Sequence, residues 1–383
     1  MTRQSFAFAT AGRISFGAGT ATEIPGAVIA HGRRVLVVTG STPSRYDVLD
    51  ALDEADVEVA RLQASREPTV DDAREAALAA RGCDVVLGLG GGSVLDLAKA
   101  AGALVACDDV MDHLEVIGRG RPLPAPGLPV VAVPTTAGTG SEVTANAVLT
   151  SRESGVKVSL RGPTVLPHVA IVDPLLTLGC SRKVTASAGL DAFTQCLEPL
   201  VSPQASPLTD GFARTGLAAA ARSLRTAYSD GSDVTARTDM ALCSLLGGMA
   251  LANAKLGAVH GIGGVVGGVT GGPHGAICAA LLPSVVTVTL AALRDRQPRS
   301  TALSRYARAA DLVTGESGSR SEDLVAWIRE TCQVLSIPGL SAYGLAADDV
   351  DAVVAAASRS SSIKGHPIEL SEDELRRIVL SSM

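Results

Sequence analysis

Residues 88–100 read GLGGGSVLDLAKA, in which an apolar strand-like run leads into three glycines, a serine and a helix-forming stretch. Glycines let a backbone approach a phosphate closely, and the N–H groups at the start of a helix point at an anion. The pattern therefore predicts a nucleotide-phosphate site made by Gly90, Gly91, Gly92 and Ser93. The dinucleotide fingerprint GxGxxG is not fully met because Ser93 replaces its third glycine, so a ligand-free turn stays open as the alternative.

The first half of the chain alternates short β-branched runs with amphipathic helical stretches. Such alternation predicts a parallel sheet with helices between its strands. We expect buried strands at residues 33–40, 83–92 and 128–136, and a last strand in residues 169–177 that ends at Asp173-Pro174. Ala/Leu-rich stretches with helical spacing dominate the second half. The sequence thus predicts an α/β N-terminal domain, residues 1–178, and an all-α C-terminal domain, residues 179–383.

A second glycine-containing segment, PTTAGTGSEVT at residues 134–144, gathers hydroxyl groups around two glycines. Hydroxyls beside exposed backbone suit contacts to ribose, phosphate or an amide, and a plain turn cluster is the alternative. Thr135, Thr136, Thr139 and Ser141 are among the hydroxyl-bearing residues of this segment. Asp96 and Lys99, which follow the first motif, share a helix face, and for them a surface ion pair is the simplest expectation.

Residues 257–275 read GAVHGIGGVVGGVTGGPHG, a stretch too rich in glycine to be a good helix by propensity. It nevertheless holds His260 and His274, two of the six histidines of the chain. Asp191 and Gln195 lie four residues apart on a predicted helix, so their side chains share one face. Together the four side chains could supply two oxygens and two nitrogens to a divalent cation. A solvated Asp–Gln pair and two structural histidines are the alternative.

The composition describes a globular chain with a core of Ala, Val and Leu. Of its 383 residues, 46% are hydrophobic and 19% charged, and the net charge is -6, which argues against nucleic acid and anionic membranes as partners. Residues 1–17 lack the apolar core of a signal peptide. Residues 276–293, with Pro283 near the middle, predict a buried helix followed by a second segment and not a membrane span. Seven cysteines without a CxxC pair predict reduced thiols and a cytoplasmic location.

Four motifs in this order resemble the iron-containing (group III) alcohol dehydrogenases: GGGSVLDLAKA, PTTAGTGSEVT, GLDAFTQCLEP and AVHG…PHGAICAALLP. The resemblance runs from FGAG at residues 16–19 to KGHP at 364–367. It implies an α/β domain that binds a dinucleotide, a helical domain, and an active site in the cleft between them. It also implies one divalent metal, Fe²⁺ or Zn²⁺, held by an aspartate and histidines. Asp191, His260 and His274 match three of those ligands.

The resemblance further implies roles for the cofactor motifs. Residues 90–93 would bind the pyrophosphate, the Thr/Ser-rich segment would line the nicotinamide side, and Lys157 would contact a ribose. Many NAD-dependent relatives carry Asp directly after VVT, where its carboxylate would repel a 2′-phosphate. The residues that follow VVT here are Gly40, Ser41 and Thr42, with Arg45 nearby. Hydroxyls and a guanidinium favour a phosphate, so we expect NADP(H) in preference to NAD(H).

Three positions depart from the family pattern. Gln195 stands where a metal-binding histidine is usual, and an amide oxygen is a weaker ligand for Fe²⁺ or Zn²⁺ than imidazole. Gly264 stands where a further histidine near the nicotinamide is common, and His366 stands where KGNP is more usual. The expected metal set is therefore Asp191, Gln195, His260 and His274.

The sequence predicts an NAD(P)-dependent alcohol dehydrogenase or carbonyl reductase that transfers a hydride between a nicotinamide and a small aldehyde, ketone or alcohol. A bound metal would act as a Lewis acid on the carbonyl oxygen, and the expected catalytic residues are Asp96, His260 and His274. One alternative is a metal-independent reductase of a carboxylated carbonyl, resembling the maleylacetate reductases, in which Arg161 or Lys364 would bind the carboxylate. Another is a lyase of the dehydroquinate synthase type. The resemblance also implies a homodimer or a larger homo-oligomer.

Overall fold

The computed structural model describes residues 5–41, 48–64, 67–124, 126–360 and 362–383. Thr42 and Arg45, on which part of the NADP(H) expectation rests, lie outside the described residues. The described chain forms two compact units. An α/β unit consists of Thr10–Thr136 and Gly140–Gly179. A helical unit consists of residues 5–9, Ala137–Thr139 and Cys180–Met383.

The α/β unit is built on a parallel sheet. The strands among the described residues, in sequence order, are β1 (Arg13–Phe16), β2 (Arg34–Thr39), β3 (Glu58–Gln63), β4 (Val85–Gly90), β5 (Val130–Pro134), β6 (Asn146–Ser151), β7 (Val156–Arg161) and β8 (Val169–Val172). Six of them form the sheet in the order β1-β8-β5-β4-β2-β3, and the described pairings within it are all parallel. The remaining two, β6 and β7, form a separate antiparallel hairpin. The strands expected from the sequence are confirmed.

Helices cover both faces of this sheet, which explains why its central strands are apolar at every position. They are α1 (Ile24–Ile29), α2 (Val48–Glu54), α3 (Val70–Ala79) and α4 (Gly92–Leu104). Side chains alternate along β2, so Leu36 and Val38 join the core that includes α3 and α4. Val35 and Val37 join the opposite core, which includes α1 and α2. The α/β class of the N-terminal region is confirmed.

The described residues from Cys180 onward contain helices and no strand, which confirms the all-helical C-terminal region. The helices are α5 (Arg182–Val201), α6 (Pro207–Ser229), α7 (Val234–Ala254), α8 (Ala258–Thr270), α9 (His274–Arg296), α10 (Thr301–Thr314), α11 (Ser321–Val334), α12 (Val350–Ala357) and α13 (Glu372–Ser381). Helix α5 packs against α6, α7, α9 and α10, and each of its residues from 189 to 201 is buried. A polar side chain in that part of α5 therefore lies inside the protein.

The glycine-rich stretch is helical, so the expectation from propensity was wrong. Helix α8 spans most of it and is followed directly by Gly271, whose φ of 66° is the left-handed conformation favoured after a helix. Its glycines permit close packing: a Cβ at Gly261 would come within 3.1 Å of Ile363, and one at Gly263 within 3.0 Å of Cys278 Sγ. Close tertiary contacts thus override the low helix propensity of glycine.

Residues 276–293 belong to one continuous helix, α9, and not to a helix followed by a second segment. Pro283 lies inside it and has no N–H to donate to the carbonyl of Ala279. The Cys332 thiol donates a hydrogen bond to that carbonyl at 3.7 Å instead, so the carbonyl oxygen still has a partner. By length and composition α9 could cross a membrane, but 72% of its most apolar window is buried inside the protein. It is a core helix.

Candidate metal centre and cofactor motifs

The first glycine motif forms the junction between β4 and α4. Gly91 precedes the helix in an extended conformation, and none of the described side chains caps the N terminus of α4. A Cβ at Gly90 would lie 2.5 Å from Val94 Cγ2, and one at Gly91 would lie 3.3 Å from Thr136 Oγ1. Glycine is therefore required by packing at Gly90, and the uncapped N–H groups of the first turn are available to an anion.

Other predicted cofactor residues lie at the carboxyl ends of neighbouring strands. Gly40 follows β2 and is close to the first turn of α4, since a Cβ there would lie 3.9 Å from Val94 Cγ2. The Thr135 N–H donates to the Gly90 carbonyl at 2.9 Å, which joins the second motif to the first. Parallel strands that end at one edge commonly place a ligand there. The structure thus brings Gly40, Ser41, residues 90–93, Thr135 and Thr136 to one edge of the sheet.

Asp96 anchors the second motif to α4. Its Oδ1 accepts from the Ser141 hydroxyl at 2.5 Å, and its Oδ2 accepts from the Val148 N–H at 3.1 Å. Lys99 Nζ lies 3.1 Å from Asp96 Oδ1. Both carboxylate oxygens are therefore engaged by protein groups, which gives Asp96 a positioning role for Ser141.

The expectation of a surface ion pair between Asp96 and Lys99 was wrong. Lys99 is completely buried, and its ammonium donates to the carbonyls of Ser141 and Asn146 and to the Thr144 hydroxyl, at 2.9, 2.5 and 3.1 Å. Burial lowers the pKa of this amine, against the opposing effect of Asp96. Lys99 therefore holds the end of the second motif, at Ser141 and Thr144, and the start of β6 at Asn146.

Lys157 lies in the β6–β7 hairpin, and its ammonium forms an ion pair with Glu67 in the loop before α3. Its Nζ lies 2.7 Å from Glu67 Oε2, and its side chain is 12% exposed. The ribose contact expected of Lys157 stays a prediction. Thr139 belongs to the short segment that packs with the helical unit, where a Cβ at its neighbour Gly138 would lie 2.8 Å from Ala188 Cβ.

The helical unit brings the predicted metal ligands together. Asp191 and Gln195 occupy successive turns of α5, His260 lies in the first turn of α8, and His274 begins α9. One donor atom from each of Asp191, His260, His274 and Cys278 lies within 4.8 Å of the others. The sequence identified three of these residues, and Cys278 was missed although it lies one helical turn after His274.

Three polar atoms at this cluster are buried and have no hydrogen-bond partner among the described residues: Asp191 Oδ1, Gln195 Oε1 and His260 Nε2. Asp191 Oδ1 and His260 Nε2 lie 3.4 Å apart, without hydrogen-bond geometry. The Gln195 amide NH₂ donates to Asp191 Oδ2 at 3.0 Å, and because a carboxylate only accepts, this contact leaves the amide oxygen unused. Buried polar atoms without a partner are costly unless a ligand satisfies them, and a divalent cation would accept a lone pair from each of the three.

Glu198 supports His260 from the other side of the imidazole. Its Oε2 lies 2.6 Å from His260 Nδ1, and its Oε1 accepts from the Val259 N–H at 2.7 Å. The carboxylate thus fixes the proton on Nδ1 and directs Nε2 towards Asp191, as acidic groups behind metal-binding histidines do. Sequence reasoning missed Glu198, although it lies seven residues after Asp191 and hence on the same face of α5.

The electrostatics of the cluster favour positive charge. Burial lowers the pKa of His260, but the Glu198 and Asp191 carboxylates outweigh this effect and raise it to about 10. Burial also raises the pKa of Glu198, and the neighbouring His260 more than offsets that effect, so the pKa falls below its ordinary value. Two buried carboxylates therefore require a compensating cation, which a proton on His260 or a bound metal can provide.

His366, which stands in the unusual KGHP sequence, serves the same helix. Its Nδ1 accepts from the Ala258 N–H at 3.2 Å, and its Nε2 lies 2.9 Å from Thr289 Oγ1. Burial lowers the pKa of His366 to about 4, so the ring is neutral at ordinary pH. Glu198 and His366 together satisfy two N–H groups at the start of α8. Gly257 leaves them room, since a Cβ there would lie 2.9 Å from both side chains.

Comparison with known proteins decides the family. Residues 11–174 match the family described as iron-containing alcohol dehydrogenase. Residues 185–383 match its C-terminal family, described as Fe-containing alcohol dehydrogenase family, C-terminal. The chain belongs to the iron-containing alcohol dehydrogenase family. The resemblance drawn from the four sequence motifs is thereby confirmed.

Several known proteins are similar to this chain. Long-chain-alcohol dehydrogenase 1 of Geobacillus thermodenitrificans is 43% identical over 223 residues, which are 57% of this chain and 56% of the relative, so the match spans little more than half of its length. Alcohol dehydrogenase 4 of Saccharomyces cerevisiae is 31% identical over 77% of this chain and 75% of its own. The crystal structure of a 1,3-propanediol oxidoreductase superposes with a TM-score of 0.89 at 32% identity, over 99% of this chain and 100% of that one.

Proposed function

We propose that the protein is an NAD(P)-dependent alcohol dehydrogenase that transfers a hydride between a nicotinamide and a small aldehyde, ketone or alcohol. The observation that carries this proposal is a set of three possible metal-binding atoms, on Asp191, Gln195 and His260, that are buried and have no hydrogen-bond partner among the described residues. Family membership and the names of the relatives, which include alcohol and propanediol dehydrogenases, support the same activity.

The metal in this proposal is Fe²⁺ or Zn²⁺, held by Asp191, His260 and His274, with the Gln195 amide oxygen as a weaker donor. When bound, the ion supplies a Lewis acid that polarises the carbonyl oxygen of the substrate. The chain's own residues prepare the site. Glu198 keeps the His260 proton on Nδ1, and the Gln195 NH₂ orients the Asp191 carboxylate through Oδ2.

The cofactor in this proposal is bound by the edge of the sheet. The uncapped start of α4 holds the pyrophosphate through residues 90–93, and Gly40 and Ser41 follow β2 on the adenosine side. The hydroxyls of Thr135, Thr136, Thr139 and Ser141 contact the nicotinamide half, and Lys157 contacts a ribose. The lack of a carboxylate at Gly40 and Ser41 supports NADP(H) over NAD(H).

Asp96 acts in this scheme on the cofactor side, where it holds the Ser141 hydroxyl. We also propose a cytoplasmic enzyme with reduced thiols, since none of its seven cysteines forms a disulfide in the described chain. Its assembly is a homodimer or a larger homo-oligomer, which light scattering on the purified protein measures directly.

The test combines metal analysis with activity. Protein purified without chelator or a metal-binding tag should contain a stoichiometric amount of iron or zinc by mass spectrometry. Removal of the metal should abolish oxidation of NADPH by small aldehydes, and return of Zn²⁺ or Fe²⁺ should restore it. The variant His260→Ala should lose the metal, while Lys183→Ala, at an exposed position of α5, should keep it. Full activity in metal-free protein would contradict the proposal and favour a metal-independent reductase.

A further inference from the structure

Cys278 is a residue of the metal cluster that the proposed ligand set does not use, although it lies inside the motif PHGAICAALLP. It is completely buried, and its Sγ lies 3.6 Å from His274 Nε2 on the preceding turn of α9. Its sulfur is also within 4.8 Å of the donor atoms of Asp191 and His260. A Cβ at Gly263 would come within 3.0 Å of this sulfur, so the glycine of α8 leaves the space that Cys278 occupies.

The separations match those of a tetrahedral site. Zinc bonds oxygen and nitrogen at about 2.0–2.1 Å and sulfur at about 2.3 Å, so two ligand atoms on a tetrahedron lie roughly 3.3–3.6 Å apart. His260 Nε2 and Asp191 Oδ1 are 3.4 Å apart, and Cys278 Sγ and His274 Nε2 are 3.6 Å apart. These two pairs already have tetrahedral spacing, and the remaining separations are all within 4.8 Å.

With Gln195 in place of a histidine, the metal site lacks a strong fourth ligand. The amide oxygen of Gln195 is neutral and a weaker donor than imidazole, and its NH₂ is committed to Asp191 Oδ2. A thiolate is a strong and soft ligand that favours Zn²⁺ over Fe²⁺. Asp191 Oδ1 and His260 Nε2 are buried, have no hydrogen-bond partner among the described residues and lie close to Cys278 Sγ, where a cation would satisfy both.

We propose that Cys278 is a ligand of the metal: its sulfur completes an Asp191–His260–His274–Cys278 site and gives this chain a preference for zinc. When the metal–sulfur bond forms, the S–H bond breaks and the proton passes to solvent, so the ligand is the thiolate. Gln195 then serves to position Asp191. The inference rests on the proposed function, because it concerns the same metal.

The first experiment is X-ray absorption at the zinc edge on the zinc-loaded full-length protein. A sulfur shell at about 2.3 Å, together with nitrogen and oxygen ligands near 2.0 Å, is the expected result. A shell of nitrogen and oxygen alone would overturn the role of Cys278 while leaving the proposed function intact. Protein that binds no zinc and still reduces carbonyls would overturn both. The measurement needs no variant, so it does not depend on whether a substitution folds.

Matched variants give a second readout. Cys278→Ala should remove the sulfur shell, abolish the thiolate-to-metal charge-transfer absorption of the Co²⁺-loaded protein, and weaken Zn²⁺ binding by at least about tenfold. Cys243→Ala changes another completely buried cysteine of the helical unit, on α7, and should leave all three readouts unchanged. A Cys278→Ala protein that keeps the charge-transfer absorption and the zinc affinity would show that the thiol only hydrogen-bonds to His274.

Discussion

At the scale of single residues, the cluster on α5, α8 and α9 depends on a carboxylate that does not face the metal. Glu198 accepts from His260 Nδ1 with one oxygen and from the Val259 N–H with the other. It therefore acts on the ring and on the start of α8 together. The orientation of His260 Nε2 depends on this double contact.

We expect Glu198→Gln to lower zinc affinity by about 10- to 100-fold. The amide has one acceptor and one donor group, so either His260 Nδ1–H or the Val259 N–H loses its acceptor. Competition for Zn²⁺ with a chromophoric chelator measures the effect. Glu142→Gln, which neutralises a buried carboxyl of the α/β unit, is the matched control and should bind zinc as the wild type does. If Glu198→Gln binds Zn²⁺ as tightly as the wild type, Glu198 only caps the start of α8 and does not support the metal site.

Residue type and order in the sequence were enough to identify Asp191, His260 and His274 as a group. They were not enough for Glu198 or Cys278, because a single glutamate or cysteine on an apolar helix does not by itself indicate a metal site. Lys99 was misjudged for a related reason. Its spacing from Asp96 is that of a surface pair, and only the fold shows that the segment containing Ser141 covers it. Burial of a charge depends on packing that the local sequence does not record.

At the scale of elements, helix α8 is formed against the preference of its own residues. Its glycines have no side chain to contribute to packing. The helix is stabilised by the helices around it and by His366 and Glu198, which accept from the N–H groups of Ala258 and Val259. Propensity predicted no good helix here for that reason. The strands were predictable for two reasons. β-branched residues favour the extended backbone of a strand. Continuous apolar runs are also typical of strands that are buried on both faces of a sheet.

Two glycine substitutions should have opposite effects on the helical unit. A Cβ at Gly264 meets no atom within 4 Å, so Gly264→Ala should gain up to about 1 kcal/mol from helix propensity. A Cβ at Gly275 would lie 2.9 Å from the Ser187 carbonyl oxygen, so Gly275→Ala should cost about 1–3 kcal/mol through overpacking. Urea unfolding, followed by fluorescence of the single tryptophan, Trp327, stacked on Phe193 of α5, measures both. Equal stabilities would contradict the packing argument.

At the scale of the whole molecule, stability should fall with pH because of Glu142. Burial raises the pKa of this carboxyl from its usual 4.5 to about 7, against the opposing effect of Lys99. The folded state therefore binds a proton more tightly than the unfolded chain. The favourable contribution is fully present below about pH 4.5 and is lost as the pH rises through about 7, with a total change on the order of 3 kcal/mol.

Calorimetry on the wild type and Glu142→Gln at about pH 5 and about pH 8 measures this contribution. The wild type should lose more thermal stability over that interval than the variant, in which the group cannot ionise. Other titrating groups are common to both proteins, so their effects cancel in the comparison. Parallel pH profiles for the two proteins would show that Glu142 keeps an ordinary pKa in the folded state.

Helix α9 also has a consequence for biosynthesis. It is apolar enough to resemble a bilayer-spanning segment, and its shelter inside the protein comes partly from α11 and α13, which leave the ribosome after it. Until those helices have been translated, α9 is a long apolar segment of the nascent chain that chaperones and the membrane-insertion machinery can bind. A ribosome that stalls before Glu372 would therefore release a polypeptide that quality control must retain in solution or destroy.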